Sequence, residues 1–270
     1  MGEVAGVLAQ TLTIEIGGVP VLVRTDGTEF LRMLEARYSG FLRPEAQPVC
    51  ELDVELVPLG KVTDEDEVAV RFSGARWLIE RGDLRVEWDP VSGQGSIRQY
   101  ANPYSIDTAL RIIHSLILAR QGGLLVHAAS AVRNGKAFLF AGVSGAGKTT
   151  ISRLAPPEVT LLTDEISYLR RNGHGYVAHG TPFAGELAKV GENIEAPLGA
   201  LFLLHQAPQN KIQPVSEGEA LRALMESILF FAHDSELVNK VFESACDLVR
   251  RVPVFRLSFV PDQKVWELIA

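Results

Sequence analysis

A glycine-rich loop between an apolar run and a short helical segment is the feature that most constrains this chain. Residues 142–149 read Gly-Val-Ser-Gly-Ala-Gly-Lys-Thr and match the pattern G-x-x-x-x-G-K-[ST] at every fixed position. The preceding run, residues 137–141, predicts a buried strand. Residues 150–154 continue into a helix, which Pro156 and Pro157 must end. The sequence therefore predicts a strand, a tight loop and a helix joined in that order.

The residue types in this loop suit a nucleoside triphosphate. Glycines let backbone N–H groups turn toward a polyphosphate at the start of a helix. Lys148 can reach the β- and γ-phosphates, and the Thr149 hydroxyl can ligate the Mg²⁺ that accompanies them. The alternative is a glycine-rich turn that binds nothing. We predict that ATP with Mg²⁺ binds here, with GTP left open, through Gly142, Val143, Ser144, Gly145, Ala146, Gly147, Lys148, Thr149 and Thr150.

Composition narrows the class of partner. The net charge of −7 lies wholly in residues 1–100, which hold 10 Lys and Arg against 17 Asp and Glu, while residues 101–270 hold 16 of each. An acidic front half with no basic cluster elsewhere argues against nucleic acid. The longest central apolar run is too short to span a bilayer, and no secretory signal is expected. The two cysteines, Cys50 and Cys246, predict reduced thiols and a cytoplasmic protein. The acidic run at residues 64–67 is either a docking patch or a solvated loop.

The apolar pattern divides the chain into two predicted domains, residues 1–101 and 102–270. In the first domain apolar and polar residues mostly alternate, which predicts half-buried strands around one helix at residues 28–38. We predict an antiparallel sheet with that helix packed on it. The acidic, β-rich character suggests a role in substrate recognition.

The second domain begins with a helical repeat that ends at Gly122-Gly123. Strands are predicted at residues 124–132 and 137–141, joined by the Asn134-Gly135 turn that favours a tight hairpin. The remaining predicted elements are strands at residues 160–163, 166–170, 176–179, 198–204 and 254–259, and helices at residues 217–231 and 235–251.

Several polar residues outside the loop are candidates for the chemistry. Asp164 and Glu165 follow the strand after the loop helix, so they are expected at the rim where phosphates would lie. One carboxylate could bind the metal and the other could accept the proton of an attacking hydroxyl. His127, in an apolar strand, is either a core residue or a site residue. Glu186 is either a metal ligand, a substrate contact or a loop cap.

His127, the Asn134-Gly135 hairpin, the loop at 142–149 and Asp164-Glu165 occur in the order and spacing seen in HPr serine kinases. The chain resembles that family best over residues 120–180. The resemblance implies an α/β (α+β) fold: a P-loop domain of the phosphoenolpyruvate carboxykinase/HPr kinase type, behind an N-terminal antiparallel β-rich domain.

The same resemblance implies roles for individual residues. Lys148 would grip the phosphates and Thr149 would hold magnesium. Asp164 would match the catalytic aspartate that activates the substrate serine. Glu165 would match the neighbouring metal-binding acid, with Glu where Asp is usual. His127 would match a histidine beside the phosphate site.

The expected activity is that of an ATP-dependent kinase acting on a serine-type hydroxyl of a small protein or peptide. A Gly-Gly-Asn run associated with the bifunctional kinase/phosphorylase is missing, so phosphorolysis is not expected and HPr need not be the acceptor. One alternative is a nucleotide-dependent binding module or switch; another is a small-molecule kinase or carboxykinase. The sequence leaves the oligomeric state open, a homo-oligomer included.

Overall fold

The computed structural model of the chain describes residues 10–58, 67–173, 175–187 and 190–269. It is a mixed α+β protein with two β-sheets and few helices. The chain divides into two compact units, Met1–Ile113 with Phe231–Asp234 and His114–Phe230 with Ser235–Ala270. The division falls inside a helix, Pro103–Gln121, which begins one residue after the predicted start of the second domain at residue 102.

The first unit contains a seven-stranded sheet with strand order β1-β2-β3-β7-β6-β5-β4. Its strands are β1 (Gln10–Ile16), β2 (Val19–Thr25), β3 (Cys50–Leu56), β4 (Ala69–Ser73), β5 (Arg76–Arg81), β6 (Leu84–Trp88) and β7 (Gln94–Gln99). The sheet is mixed, because β2 and β7 both run parallel to β3. The prediction of an antiparallel sheet is therefore wrong at its centre. Alternation reports which face of a strand is buried, and it carries no information on strand direction.

The parallel pair follows from helix α1 (Thr28–Arg37), which links β2 to β3. Its apolar residues Phe30, Leu31 and Leu34 recur at helical spacing and are buried. On the outward face of the sheet, acids and arginines pair across strands, as in Arg98 with Glu55 at 2.8 Å. Part of the acidic excess is thereby neutralised locally. The acidic run lies outside the described residues except for Glu67.

The second unit carries an eight-stranded sheet and most of the remaining helices. Its elements are α2 (Pro103–Gln121, shared with the first unit), β8 (Leu124–Arg133), β9 (Lys136–Ala141), α3 (Lys148–Arg153), β10 (Thr160–Thr163), β11 (Ile166–Asn172), β12 (Gly175–His179), β13 (Glu195–Gln206), β14 (Lys211–Pro214), α4 (Glu217–Ser227), α5 (Ser235–Arg251) and β15 (Val254–Phe259). Asn134 and Gly135 take positive φ values of 51° and 74°, which confirms the tight hairpin between β8 and β9.

Strand directions in this sheet bring the ends of β9 and β10 to one edge. Both strands pair antiparallel with β8, on its two sides, so they run parallel to each other. β13 runs parallel to β9, and β15 parallel to β13. The carboxyl ends of β9, β10, β13 and β15 therefore face the same way.

The sequence prediction for this unit needs two corrections, one to the end of a helix and one for a missed strand. The helix predicted at residues 217–231 ends at Ser227, because Ile228 forms a bridge to Val126 and Leu229 donates its N–H to the Leu125 carbonyl at 2.8 Å. The short edge strand β14 was not predicted; it pairs antiparallel with β15.

The core of the second unit supports the loop after β9. Phe140, Phe202 and Phe259 belong to one buried cluster that also contains Ile151 of α3 and Trp266. Trp266 lies in a 3-10 helix, Gln263–Leu268, and its indole N–H donates to the Ile151 carbonyl at 3.1 Å. Among the described helices none is long and apolar enough to cross a membrane. Both cysteines are free, with Cys50 buried and Cys246 half-buried.

Candidate functional site

A cleft of about 310 Å³ opens at the carboxyl ends of β9 and β10 in the second unit. It is lined by His127, Ser144, Gly145, Gly147, Lys148, Thr149, Thr150, Asp164, Glu165, Gly185 and Glu186. Residues predicted from four separate stretches of sequence thus come together in one cavity. Of the predicted loop residues, Gly142, Val143 and Ala146 are not among its lining. Val143 is exposed at the loop surface, and Ala146 is buried beneath it.

The loop after β9 depends on glycine at two positions. Gly145 and Gly147 have φ values of +79° and +112°, which side chains rarely adopt. Gly147 also lies against the core, because a Cβ there would come within 2.5 Å of Cζ of Phe259. The Gln206 side chain, at the end of β13, donates to the Gly145 carbonyl at 2.7 Å. The glycines therefore permit both the backbone turn and its close fit to the sheet.

Lys148 folds back over the loop that carries it. Its ammonium donates to the Gly142 carbonyl at 2.9 Å and reaches the Val143 carbonyl at 3.5 Å. Burial lowers the pKa of Lys148, and the negative charges of Glu165 and Glu186 partly oppose that shift. The ammonium is thus a buried cation in a cleft with two carboxylates nearby: the cation favours an anionic ligand, and the carboxylates favour a positive charge beside that ligand.

Asp164 is buried, with 5% of its surface exposed, and both of its oxygens accept hydrogen bonds from one turn of chain. Oδ1 accepts the N–H of Gly185 at 2.9 Å, and Oδ2 accepts the N–H of Leu187 at 3.0 Å. Between these two residues lies Glu186, which accepts the hydroxyl hydrogen of Thr149 at 3.2 Å. The acid after β10 and the threonine of the loop are therefore connected across the cleft through residues 185–187.

Three further side chains, those of Thr163, Glu165 and His127, lie at the acidic edge of the cleft or beneath it. The Thr163 hydroxyl accepts the N–H groups of Glu165 and Ile166, both at 3.1 Å, and so turns the chain after β10. Glu165 is half-buried and lines the cleft. His127 is exposed in a strand whose neighbours are buried, and it lines the same cavity opposite Ile166 in the β8–β11 ladder. The structure thus places His127 at the site and not in the core.

The cleft offers oxygen donors to a metal that accompanies a triphosphate. Within the described part of the chain, no group of three or more His, Cys, Asp or Glu residues could hold a metal ion alone. Mg²⁺ typically takes one or two protein ligands, waters and phosphate oxygens, so a hydroxyl with neighbouring carboxylates is a fitting donor set. Thr149, Glu165 and Glu186 supply these groups along one cavity. The residues present therefore fit a metal that enters with its phosphates.

Three contributors to the site were not identified from sequence. Gly185 lines the cleft and lies in the turn-rich stretch that supplied Glu186. Gln206 and Phe259 end β13 and β15 and contact the loop from neighbouring strands. No local sequence motif identifies Gln206 or Phe259. Predicting their contacts with the loop would have required the order and direction of the strands.

Comparison with known families gives one match. A family described as "ScmC: SynChlorMet cassette protein ScmC" matches residues 99–270, from the end of β7 to the end of the chain. No curated protein matches the chain. The matched segment contains every residue that lines the cleft.

Proposed function

The chain belongs to the ScmC family, and since that description states no reaction, we propose a function from the site itself. The proposal is an ATP-dependent kinase that transfers the γ-phosphoryl group to a serine-type hydroxyl of a small protein or peptide. We also propose that the second unit is a P-loop domain of the HPr kinase/phosphoenolpyruvate carboxykinase type. One observation carries both: Lys148 and Thr149 share a cleft with Asp164 and Glu165, on the ends of two strands that run parallel.

In the proposed function, the loop after β9 binds the phosphates of the nucleotide. Its glycine turns let backbone N–H groups approach a polyphosphate, and the Lys148 ammonium exchanges its two carbonyl partners for phosphate oxygens. Thr149 and Glu165 are the residues that would hold Mg²⁺, which would neutralise charge on the phosphates when bound, and Glu186 lies beside Thr149 in the same cleft. A cleft of about 310 Å³ is at the lower end of small-ligand sites, so it suits the triphosphate better than the whole nucleotide.

Transfer requires a proton acceptor, and Asp164 is our candidate. The acceptor's hydroxyl oxygen bonds to the γ-phosphorus as the bond to the leaving ADP breaks, and the hydroxyl proton passes to a carboxylate oxygen of Asp164. Each carboxylate oxygen has a further lone pair beyond the one that accepts an amide N–H. Asp164 is held rigidly, which favours the positioning that phosphoryl transfer depends on. His127 lies close enough to the cleft to contact phosphate or acceptor.

A second candidate function is a nucleotide-dependent switch with little transfer. It is favoured by the same two hydrogen bonds, since an aspartate whose oxygens anchor a turn could serve structure alone. In that case the protein would bind Mg·ATP and a partner, and hydrolysis would be slow.

Purified protein incubated with labelled ATP, Mg²⁺ and serine-containing peptides distinguishes the two. The kinase proposal expects label on the peptide and a loss of about 10²- to 10⁴-fold in transfer for Asp164→Asn, with nucleotide binding retained. Lys148→Met is expected to lose nucleotide binding in calorimetry. Binding of a partner only with ATP, without labelled peptide, would support the switch. No heat on adding Mg·ATP or Mg·GTP to the folded wild type would refute both.

A further inference from the structure

The hydrogen bond between Thr149 and Glu186 has a defined direction. An ionised carboxylate only accepts, so the Thr149 hydroxyl must be the donor to Oε2 of Glu186, at 3.2 Å. The hydroxyl hydrogen is therefore turned toward Glu186. The two lone pairs of Oγ1 then point away from Glu186 and remain available to a ligand in the cleft, which Thr149 also lines.

Asp164 fixes the position of Glu186 through the main chain. The N–H groups on both sides of Glu186, those of Gly185 and Leu187, donate to the two oxygens of one buried carboxylate. The turn is tight at its first residue, so an added Cβ would require its neighbours to shift by a few tenths of an ångström. A Cβ on Gly185 would lie 3.0 Å from Oδ2 of Asp164 and 3.0 Å from Cβ of Glu165. We call residues 185–187 with the Asp164 carboxylate the Asp164 clamp.

We propose that Glu186 is a positioning residue that orients the Thr149 hydroxyl toward the cation travelling with the triphosphate, and that the Asp164 clamp holds it in place. This inference rests on the proposed nucleotide site, and it assigns Glu186 a role different from direct metal ligation, which was one of the alternatives that the sequence left open. A hydrogen-bond acceptor behind a ligand fixes its orientation and tunes its affinity for the metal.

The two roles of Glu186 predict different behaviour for a conservative change. Glu186→Gln keeps an oxygen that accepts from Thr149 but loses the charge, whereas Glu186→Ala removes the acceptor. A positioning residue tolerates the first change and not the second. A direct ligand would be impaired by both, because a neutral amide oxygen binds Mg²⁺ more weakly than a charged carboxylate does.

The test is a calorimetric titration of Mg²⁺ and of Mn²⁺ into protein saturated with ADP, where no transfer occurs. Removing such a supporting contact typically weakens metal binding by about 10- to 100-fold, and we expect this for Glu186→Ala. We expect less than about threefold for Glu186→Gln. In a Thr149→Val background Glu186→Ala should add no further loss, since coupled residues are not additive. In EDTA, Glu186→Gln and Glu186→Ala should have the same nucleotide affinity as each other, because both remove the same negative charge from the neighbourhood of Lys148.

Each other outcome overturns the proposal in a recognisable way. Equal losses in Glu186→Gln and Glu186→Ala would make Glu186 a direct ligand, and wild-type affinity in Glu186→Ala would remove any role for it. In both cases the nucleotide site would stand. Only a wild-type protein that binds no nucleotide would overturn the proposed function as well.

The clamp has its own measurement, which needs neither nucleotide nor metal. Amide hydrogen exchange at Gly185 and Leu187 should accelerate at least tenfold in Asp164→Ala, because both N–H groups lose their acceptor. Amides paired between β11 and β12 serve as the internal reference and should exchange at wild-type rates. Unchanged exchange at residues 185 and 187 would show that Asp164 does not hold the turn.

Discussion

Gly147→Ala is the substitution whose effect the structure defines most sharply. Gly147 has φ +112°, and an added Cβ would lie 2.5 Å from Cζ and 3.1 Å from Cε1 of Phe259. The Phe259 ring is buried, with 2% of its surface exposed, and it belongs to the core cluster under the loop. The ring has little space to retreat, so the loop itself must move away from the sheet.

The magnitude follows from two separate costs. A non-glycine residue in left-handed backbone costs about 1–2 kcal/mol. Forcing an extra methyl group into a packed core costs about 1–3 kcal/mol. If the loop takes up the whole strain of about 2–5 kcal/mol, Mg·ATP affinity should fall by about 30-fold to more than 1,000-fold. Any strain that the fold absorbs instead should appear as a lower free energy of unfolding.

Calorimetry with Mg·ATP measures the loss of nucleotide affinity, and urea titration of the same samples measures the loss in the free energy of unfolding. Gly145→Ala is the first control: its φ is +79° but nothing lies within 4 Å of the added Cβ, so only the backbone cost applies. Gly173→Ala meets no atom within 4 Å and should change neither quantity. Phe259→Leu should recover part of the affinity that Gly147→Ala loses. If Gly147→Ala matches Gly173→Ala in both assays, the steric argument for this loop is wrong.

Three further predictions concern stability. His114 is fully buried, its Nε2 has no partner among the described residues, and burial lowers its pKa from 6.5 to about 3. As the pH falls, the unfolded chain takes up a proton on His114 near pH 6.5, whereas the folded chain does so only near pH 3. The stability present above pH 6.5 is therefore lost as the pH falls through that window. Between pH 7 and pH 5 we expect urea titrations to show a loss of about 2 kcal/mol in the free energy of unfolding, and we expect no such loss in His114→Gln. Trp266→Phe keeps most of the buried ring area but removes the indole donor to α3, and it should lower the free energy of unfolding by about 1–2 kcal/mol, whereas an unchanged value would contradict a role for that bond. Asp107 is buried against Arg37 and Tyr38 in the first unit, so Asp107→Ala should cost on the order of 3 kcal/mol by chemical denaturation, and a cost below about 1 kcal/mol would count against the network.

Local sequence patterns predicted most elements of the second unit, because a turn pair or an apolar repeat determines the backbone conformation of its own segment. The Asn134-Gly135 pair accepts positive φ at both positions, so it defined the hairpin between β8 and β9. The strand at Thr160–Thr163 and the helix at Ser235–Arg251 have the predicted bounds. The predicted end of a helix is wrong where a distant segment contacts it: α4 ends at Ser227, because the next residue pairs with β8.

The first unit shows the limit of periodicity. Alternation located most of its strands and helical spacing located α1, but the parallel pairing of β2, β3 and β7 depends on how the connections return the chain to the sheet. No residue type within β3 indicates whether the neighbouring strands run parallel or antiparallel to it. Strand order, which also brings Gln206 and Phe259 to the loop, had to come from the structure.

The position of Asp164 was predictable and its hydrogen bonds were not, and this difference changes how its mutation must be interpreted. Asparagine at this site would direct an NH₂ group at one of two backbone N–H groups, so Asp164→Asn removes a base and also weakens the clamp. A loss of transfer in that variant alone would therefore not identify the base. Glu186→Ala separates the two effects, because it removes the side chain that the clamp positions and leaves the Asp164 carboxylate intact. If Asp164 is the base, transfer in Asp164→Asn should remain far below that in Glu186→Ala at saturating Mg²⁺. If it only anchors the turn, the two variants should have similar rates once the metal site is saturated.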